Sequence, residues 1–170
     1  MCGITGFWTK SNVKSTDWLE ETASTMANTL VHRGPDDRGV WSDSNSGITF
    51  GHRRLAIIDV SEHGRQPMLS FDGRYVIVYN GEIYNFQELR QQLEKLGHRF
   101  NGHSDTEVML TAFVQWGLKE SIKKFNGMFA FAVWDRRNRL LWLVRDRIGE
   151  KPLYYGAQNG TFFFASELKA

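Results

Sequence analysis

Residues 127–145 read GMFAFAVWDRRNRLLWLVR. One apolar run (Gly127–Asp135) is separated from a second (139–145) only by Arg136, Arg137 and Asn138. A parallel crossover needs a dozen or more residues, whereas a hairpin needs only a few. The two runs are therefore antiparallel neighbours. The same logic holds on either side. Strands at 153–157 and 161–165 are joined by Gln158-Asn159-Gly160, and strands at 39–43 (GVWSD) and 47–54 (GITFGHRR) by Ser44-Asn45-Ser46. Residues 75–79 (YVIVY) are β-branched and aromatic throughout, and 2–8 (CGITGFW) read as a further short strand.

Helices fill the intervals. Residues 17–31 carry Leu19, Ala23, Met26, Ala27 and Leu30 at helical spacing, behind an N-cap signature of Asp17 with Glu20. His32-Arg33-Gly34-Pro35-Asp36-Asp37 then breaks the helix. A second helix, 86–96, is capped by Asn85 with Glu88 and followed by Gly97. A third, 105–116, is capped by Ser104 with Glu107 and stopped by Gly117, and a short piece at 118–124 comes next. The pattern predicts an α+β fold in which mostly antiparallel sheets carry packed helices.

At 170 residues the chain has the size of one domain, able to bury about 70% of its unfolded surface. A net charge of +2 with no block of five like charges argues against nucleic acid or a membrane surface as partner. No apolar run has the length of a membrane span. The opening residues lack the charged and hydrophobic regions of a signal peptide. A single cysteine rules out an internal disulfide and fits a reducing, cytoplasmic setting. Ser166-Glu167-Leu168-Lys169-Ala170 reads as the opening of a helix, and so as part of something longer.

That one cysteine, Cys2, would become the first residue on removal of Met1. It would then carry a thiol and a free α-amine together. An α-amine has a pKa of about 7.7–8.0, so much of it is neutral at working pH and can serve as a base for its own thiol. Taken alone, a cysteine at position two is more readily an accident of translation. Asn80-Gly81 follows the YVIVY strand, and an Asn amide beside a glycine N–H offers two donors for an oxyanion. Asn-Gly is also the strongest short hairpin signal, although the second flank here runs into a helix. Arg54, at a strand end, could clamp a carboxylate or be a solvated charge. Asp105 sits where a helix dipole favours a carboxylate in any case, and Glu82 has no independent signal. The five histidines show no metal-ligand spacing, and no phosphate-binding glycine loop is present, so neither a metal nor ATP is expected in this segment.

In order, the segments MCGITGF, HRGPDD, GHRRLAIID, GRQPM, YNGEIYN, GHSDTE, FNGMFAFAVWD, RDRIGEKPLYY and FASELKA cover nearly all of the chain. Together they resemble the glutaminase domain of the asparagine synthetase family, class II glutamine amidotransferases with an N-terminal nucleophile. HRGPD with RLAIID resembles the asparagine synthetase branch in particular. The resemblance implies a four-layer αββα sandwich of two antiparallel sheets flanked by helices.

It also implies site roles. Cys2 would be the nucleophile and its freed amine the base. Asn80 and the N–H of Gly81 would form the oxyanion hole, and Arg54 would bind the α-carboxylate of glutamine. Glu82 and Asp105 would hold its amide and α-amino ends, with the backbone of Ile57 and Ile58 lining the pocket. Glutamine would be hydrolysed through a thioester. The ammonia would pass to a C-terminal synthetase domain in cis, where ATP and Mg would be used to amidate aspartate or a sugar acid. A homodimer is a further implication. RDRIGEKPLYY either frames the site or the interface with that domain, or is a plain turn built on Gly149 and Pro152. Another amidohydrolase with an N-terminal nucleophile, or a non-catalytic domain on the same scaffold, are the competing readings. The first would need no Arg54/Asp105 pair, and the second would have no use for Cys2.

Overall fold

The computed structural model describes residues 1–9, 15–56 and 61–170. Strands β1 (Gly3–Thr9), β2 (Asp37–Asp43), β3 (Ile48–Arg54), β8 (Tyr154–Gln158) and β9 (Thr161–Ala165) form one antiparallel sheet, in the order β2-β3-β1-β9-β8. Strands β4 (Met68–Leu69), β5 (Tyr75–Ile83), β6 (Gly127–Asp135) and β7 (Leu140–Arg145) form the other in sequence order, also antiparallel. Helices α1 (Thr16–Asn28), α2 (Phe86–Lys95), α3 (Asp105–Trp116) and α4 (Leu118–Lys124) are the α-helices among the described residues, with short 3-10 turns at Val31–Arg33 and Glu62–Gly64. None of these helices is long and apolar enough to cross a membrane.

Side-chain alternation builds the layers. On β5, Val76 and Val78 join Ile4, Ile48, Phe50, Ala130, Ala132, Trp134 and Phe164 in a core between the two sheets. Their neighbours Tyr75, Ile77 and Tyr79 face the other way, into a core shared with Leu89 and Leu93 of α2 and with Val108, Met109 and Phe113 of α3. α1 covers the outer face of the first sheet with Leu19, Ala23 and Ala27. It lies so close that a Cβ on Gly51 would sit 2.9 Å from the Ala23 carbonyl oxygen. The order helix, sheet, sheet, helices is the expected αββα sandwich.

Helices α3 and α4 and strand β6 keep their expected limits. α1 does not. It starts at Thr16, and the hydroxyl of Ser15, not Asp17, accepts the Trp18 N–H at 3.2 Å. It ends at Asn28, where the Thr29 hydroxyl bonds back to the Met26 carbonyl at 2.8 Å. Leu30 is buried from the turn that follows, so the apolar spacing outlasts the helix. Asn85 precedes α2 without capping it. Its side chain instead accepts from Asn126 N and donates to the Lys124 carbonyl, each at 3.0 Å. Residues 166–170 form bends and a turn.

Asn80-Gly81 is not a hairpin turn. β5 runs through both residues to Ile83, with Gly81 opposite Phe129. A Cβ on Gly81 would lie 2.2 Å from the Met128 carbonyl oxygen, so glycine is required by the approach of the neighbouring strand.

Candidate active site

The period of two brings the candidate residues to one end of the sandwich. Ile4 and Trp8 of β1 face the opposite sheet, so Cys2, preceding the strand, falls on the same side. On β3, Ile48 and Phe50 face inward, and Arg54 continues their row through His52. On β5, Val76 and Val78 are continued by Asn80 and Glu82. One cavity is lined by Cys2, Arg54, Asn80, Gly81, Glu82 and Asp105. Every site residue expected from the sequence is thus gathered there, except Ile57 and Ile58, which lie outside the described residues.

Cys2 is half-buried. The Leu55 N–H donates to Cys2 Sγ at 3.4 Å, and the thiol faces the Leu55 carbonyl at 3.7 Å. Burial has the largest effect on the thiol and lifts it above its ordinary pKa. The Leu55 contact, the terminal ammonium and Arg54 pull the other way without cancelling it. Such a thiol is protonated at neutral pH and needs a base. Its backbone is fixed from behind. Arg33 Nε donates to the Cys2 carbonyl and Arg33 Nη1 to Glu167, each at 3.0 Å. Ser166 pairs with Ile4 twice, its N–H donating to the carbonyl at 2.8 Å and its Oγ accepting the N–H at 3.0 Å. Arg33, with help from His32, holds the Glu167 carboxyl down at about 2.

Asn80 is 1% exposed, and its Nδ2 has no hydrogen-bond partner among the described residues. A buried amide donor normally finds a partner, and leaving it without one costs about 1–3 kcal/mol. The Gly81 N–H is available by strand parity. The N–H and carbonyl of Phe129, its cross-strand partner, are both taken by Asp146, at 3.1 and 2.8 Å. The Gly81–Phe129 pair is therefore non-hydrogen-bonded, and the Gly81 N–H points off the free edge of β5. On that edge Tyr79 N donates to Gln66 Oε1 at 2.7 Å and Ile83 N to Asp105 Oδ2 at 3.0 Å.

Asp105 opens α3, whose N-cap Ser104 accepts the Glu107 N–H at 3.2 Å. Burial raises its carboxyl above the usual range, against hydrogen bonds from Ile83 N, the Tyr79 hydroxyl (2.7 Å) and Thr106 N. Arg54 is 7% exposed, with Nη1 donating to the Ser61 carbonyl at 3.0 Å. The cavity thus holds a guanidinium on one wall and carboxylates on another, a pattern that suits a zwitterion.

Sequence reasoning singled out neither Gln66 nor Lys151 as a site residue, yet both line the cavity. The Gln66 amide bridges Tyr79 N and the Thr106 hydroxyl (3.3 Å), tying β5 to α3. Their motifs, GRQPM and GEKPLYY, were the available signal. Among the described residues no group of three His, Cys, Asp or Glu is placed to hold a metal ion.

Comparison with known proteins agrees with this geometry. The chain is 45% identical over its whole length to asparagine synthetase [glutamine-hydrolyzing] 3 of Bacillus subtilis, covering 27% of that protein. It is likewise 45% identical to asparagine synthetase [glutamine-hydrolyzing] 1 of the same organism, covering 26% of it. The chain therefore spans about a quarter of the length of these relatives. Its fold is that of glutamine phosphoribosylpyrophosphate amidotransferase from B. subtilis, with a TM-score of 0.80 at 22% identity over 98% of this chain and 42% of the other. The family described as "Glutamine amidotransferase domain" matches residues 1–170 from end to end, and the chain belongs to it.

Proposed function

We propose that the chain hydrolyses glutamine with Cys2 as nucleophile once Met1 has been removed. The observation that carries this reading is the buried Nδ2 of Asn80, without a partner among the described residues, in the cavity that Cys2 lines. While Met1 is attached, the Cys2 nitrogen is an amide and not basic. Trimming converts it to an amine, the base that the lifted thiol requires. The amine takes the thiol proton as sulfur attacks the side-chain carbonyl carbon of glutamine. The oxyanion is held by Asn80 Nδ2 and Gly81 N–H. The C–N bond then breaks, the ammonium returns its proton to the leaving nitrogen, and ammonia departs. Water, deprotonated by the same amine, hydrolyses the thioester to glutamate. Arg54 binds the α-carboxylate, Asp105 the α-ammonium, and Glu82 the side-chain amide.

Residues 1–170 form the glutaminase domain in this reading. The greater length of the relatives supports a synthetase domain following in cis. Ammonia would amidate a carboxylate there, aspartate by default, and ATP and Mg would belong to that part. The test uses diazo-oxo-norleucine, a glutamine-like electrophile, on trimmed protein. One adduct on Cys2, suppressed by glutamine, is expected. Labelling indifferent to glutamine would overturn the reading in favour of another amidohydrolase.

A further inference from the structure

Lys151 has an environment that the proposed hydrolysis does not use. It is 7% exposed, and its ammonium lies 3.3 Å from the thioether of Met1, on the wall of the cavity lined by Cys2, Glu82 and Asp105. A thioether is a weak acceptor, and no carboxylate lies within ion-pair distance of Lys151 among the described residues. Its backbone is nevertheless held firmly. Lys151 N donates to Asp146 Oδ2 at 3.1 Å, and Arg145 Nε donates to the Lys151 carbonyl at 2.6 Å. Asp146 also takes the Phe129 N–H, so the segment is tied to β6 opposite Gly81. Something other than an ion pair accounts for a lysine head aimed at this wall.

The charges that line the cavity supply it. Glu82 and Asp105 are carboxylates and Arg54 is a cation, so without Lys151 the lining carries an excess negative charge. Tyr79 and the Cys2 thiol are neutral at working pH, since burial raises both. Arg145 and Asp146 sit on the backbone side of Lys151 and offset each other, as do Arg33, which donates to the Cys2 carbonyl, and its partner Glu167. An excess carboxylate would favour the protonated form of any amine formed at Cys2. A protonated amine cannot accept the thiol proton.

We propose that Lys151 is an electrostatic positioning residue that keeps the freed α-amine of Cys2 neutral, and so competent as a base. This rests on the amidotransferase reading above. On removal of Met1 the thioether beside the ammonium disappears and the α-amine appears on Cys2, which lines the same cavity. A like charge on the lysine head then disfavours protonation of the amine.

The test is done on trimmed protein with Lys151→Met, Lys151→Gln and Lys151→Arg. Because the chain has one cysteine, [15N]cysteine labelling gives a single α-amine nitrogen to titrate by NMR. In Lys151→Met and Lys151→Gln its pKa is expected to rise by about one unit, a tenfold change in equilibrium. The acidic limb of kcat/KM for glutamine should move up with it, with about tenfold loss below the limb and none well above it. Lys151→Arg should keep both near wild type. An unmoved amine titration in the neutral variants, or a loss of kcat/KM equal at all pH values, would overturn the proposal. If instead trimmed wild-type protein releases no ammonia from glutamine, the underlying reading fails, whereas the amine titration still reports on Lys151.

Discussion

Asn80 is the residue whose chemistry is most exposed to test. Its amide nitrogen is buried and unpartnered among the described residues. Removing one oxyanion donor costs about 2.7–4 kcal/mol of transition-state stabilisation. Asn80→Ala is therefore expected to lower kcat for glutamine by about 10²–10³ with little change in KM. Steady-state kinetics on trimmed protein check this, and an unchanged kcat would remove Asn80 from the oxyanion hole. His52 makes a different prediction. It is fully buried between the sheets, its Nε2 lies 3.2 Å from the Tyr79 carbonyl oxygen, and burial lowers its pKa to about 4. The unfolded chain binds a proton on His52 near pH 6.5 and the native protein does not until about 4. Stability is thus lost as pH falls through this window, by up to about 3 kcal/mol. Denaturant titrations between pH 7.5 and 4.5 should show that loss, and His52→Gln should lack it.

Among the elements, β5 carries most of the site and was also the hardest to read. Its apolar half, YVIVY, is a plain strand signal, but Asn80-Gly81 carries turn chemistry that pairing with β6 overrides. The reason lies across the sheet. A glycine is needed where the Met128 carbonyl approaches, and no local propensity contains that information. Gly81→Ala should accordingly cost about 1–3 kcal/mol through strain between β5 and β6, and lower glutamine turnover as the donor edge shifts. Thermal unfolding and kinetics on the same variant check both. The helix ends behaved similarly. Ser104 and Gly117 bound α3 as local chemistry dictates, whereas Asn85 was recruited by Asn126 and Lys124, residues distant in sequence. Candidate residues were legible through motifs, but their convergence was not. Cys2, Arg54, Asn80 and Glu82 share one face only after three strands are set in register. Gln66 and Lys151 escaped because their contacts are made by loops whose course no periodicity encodes.

For the whole molecule, the two cores are separable in function. The core between the sheets meets the cavity at Cys2 and Asn80, while the core beneath α2 and α3 reaches it through Tyr79, which bonds Asp105 at the start of α3. Phe113 belongs to the second, fully buried and in ring contact with Tyr75, Phe125 and Phe131. Phe113→Ala should cost about 3–5 kcal/mol of stability, with kcat for glutamine largely kept at a temperature where the variant stays folded. Calorimetry with kinetics at low temperature separates the two effects. The proposed reaction rests on one chemical requirement, that the first residue offer thiol and free amine together. Ammonia release from glutamine, compared between protein beginning at Cys2 and protein retaining Met1, tests it most directly. The trimmed form is expected to turn over and the retained form to be inert. Equal rates from both would contradict the account.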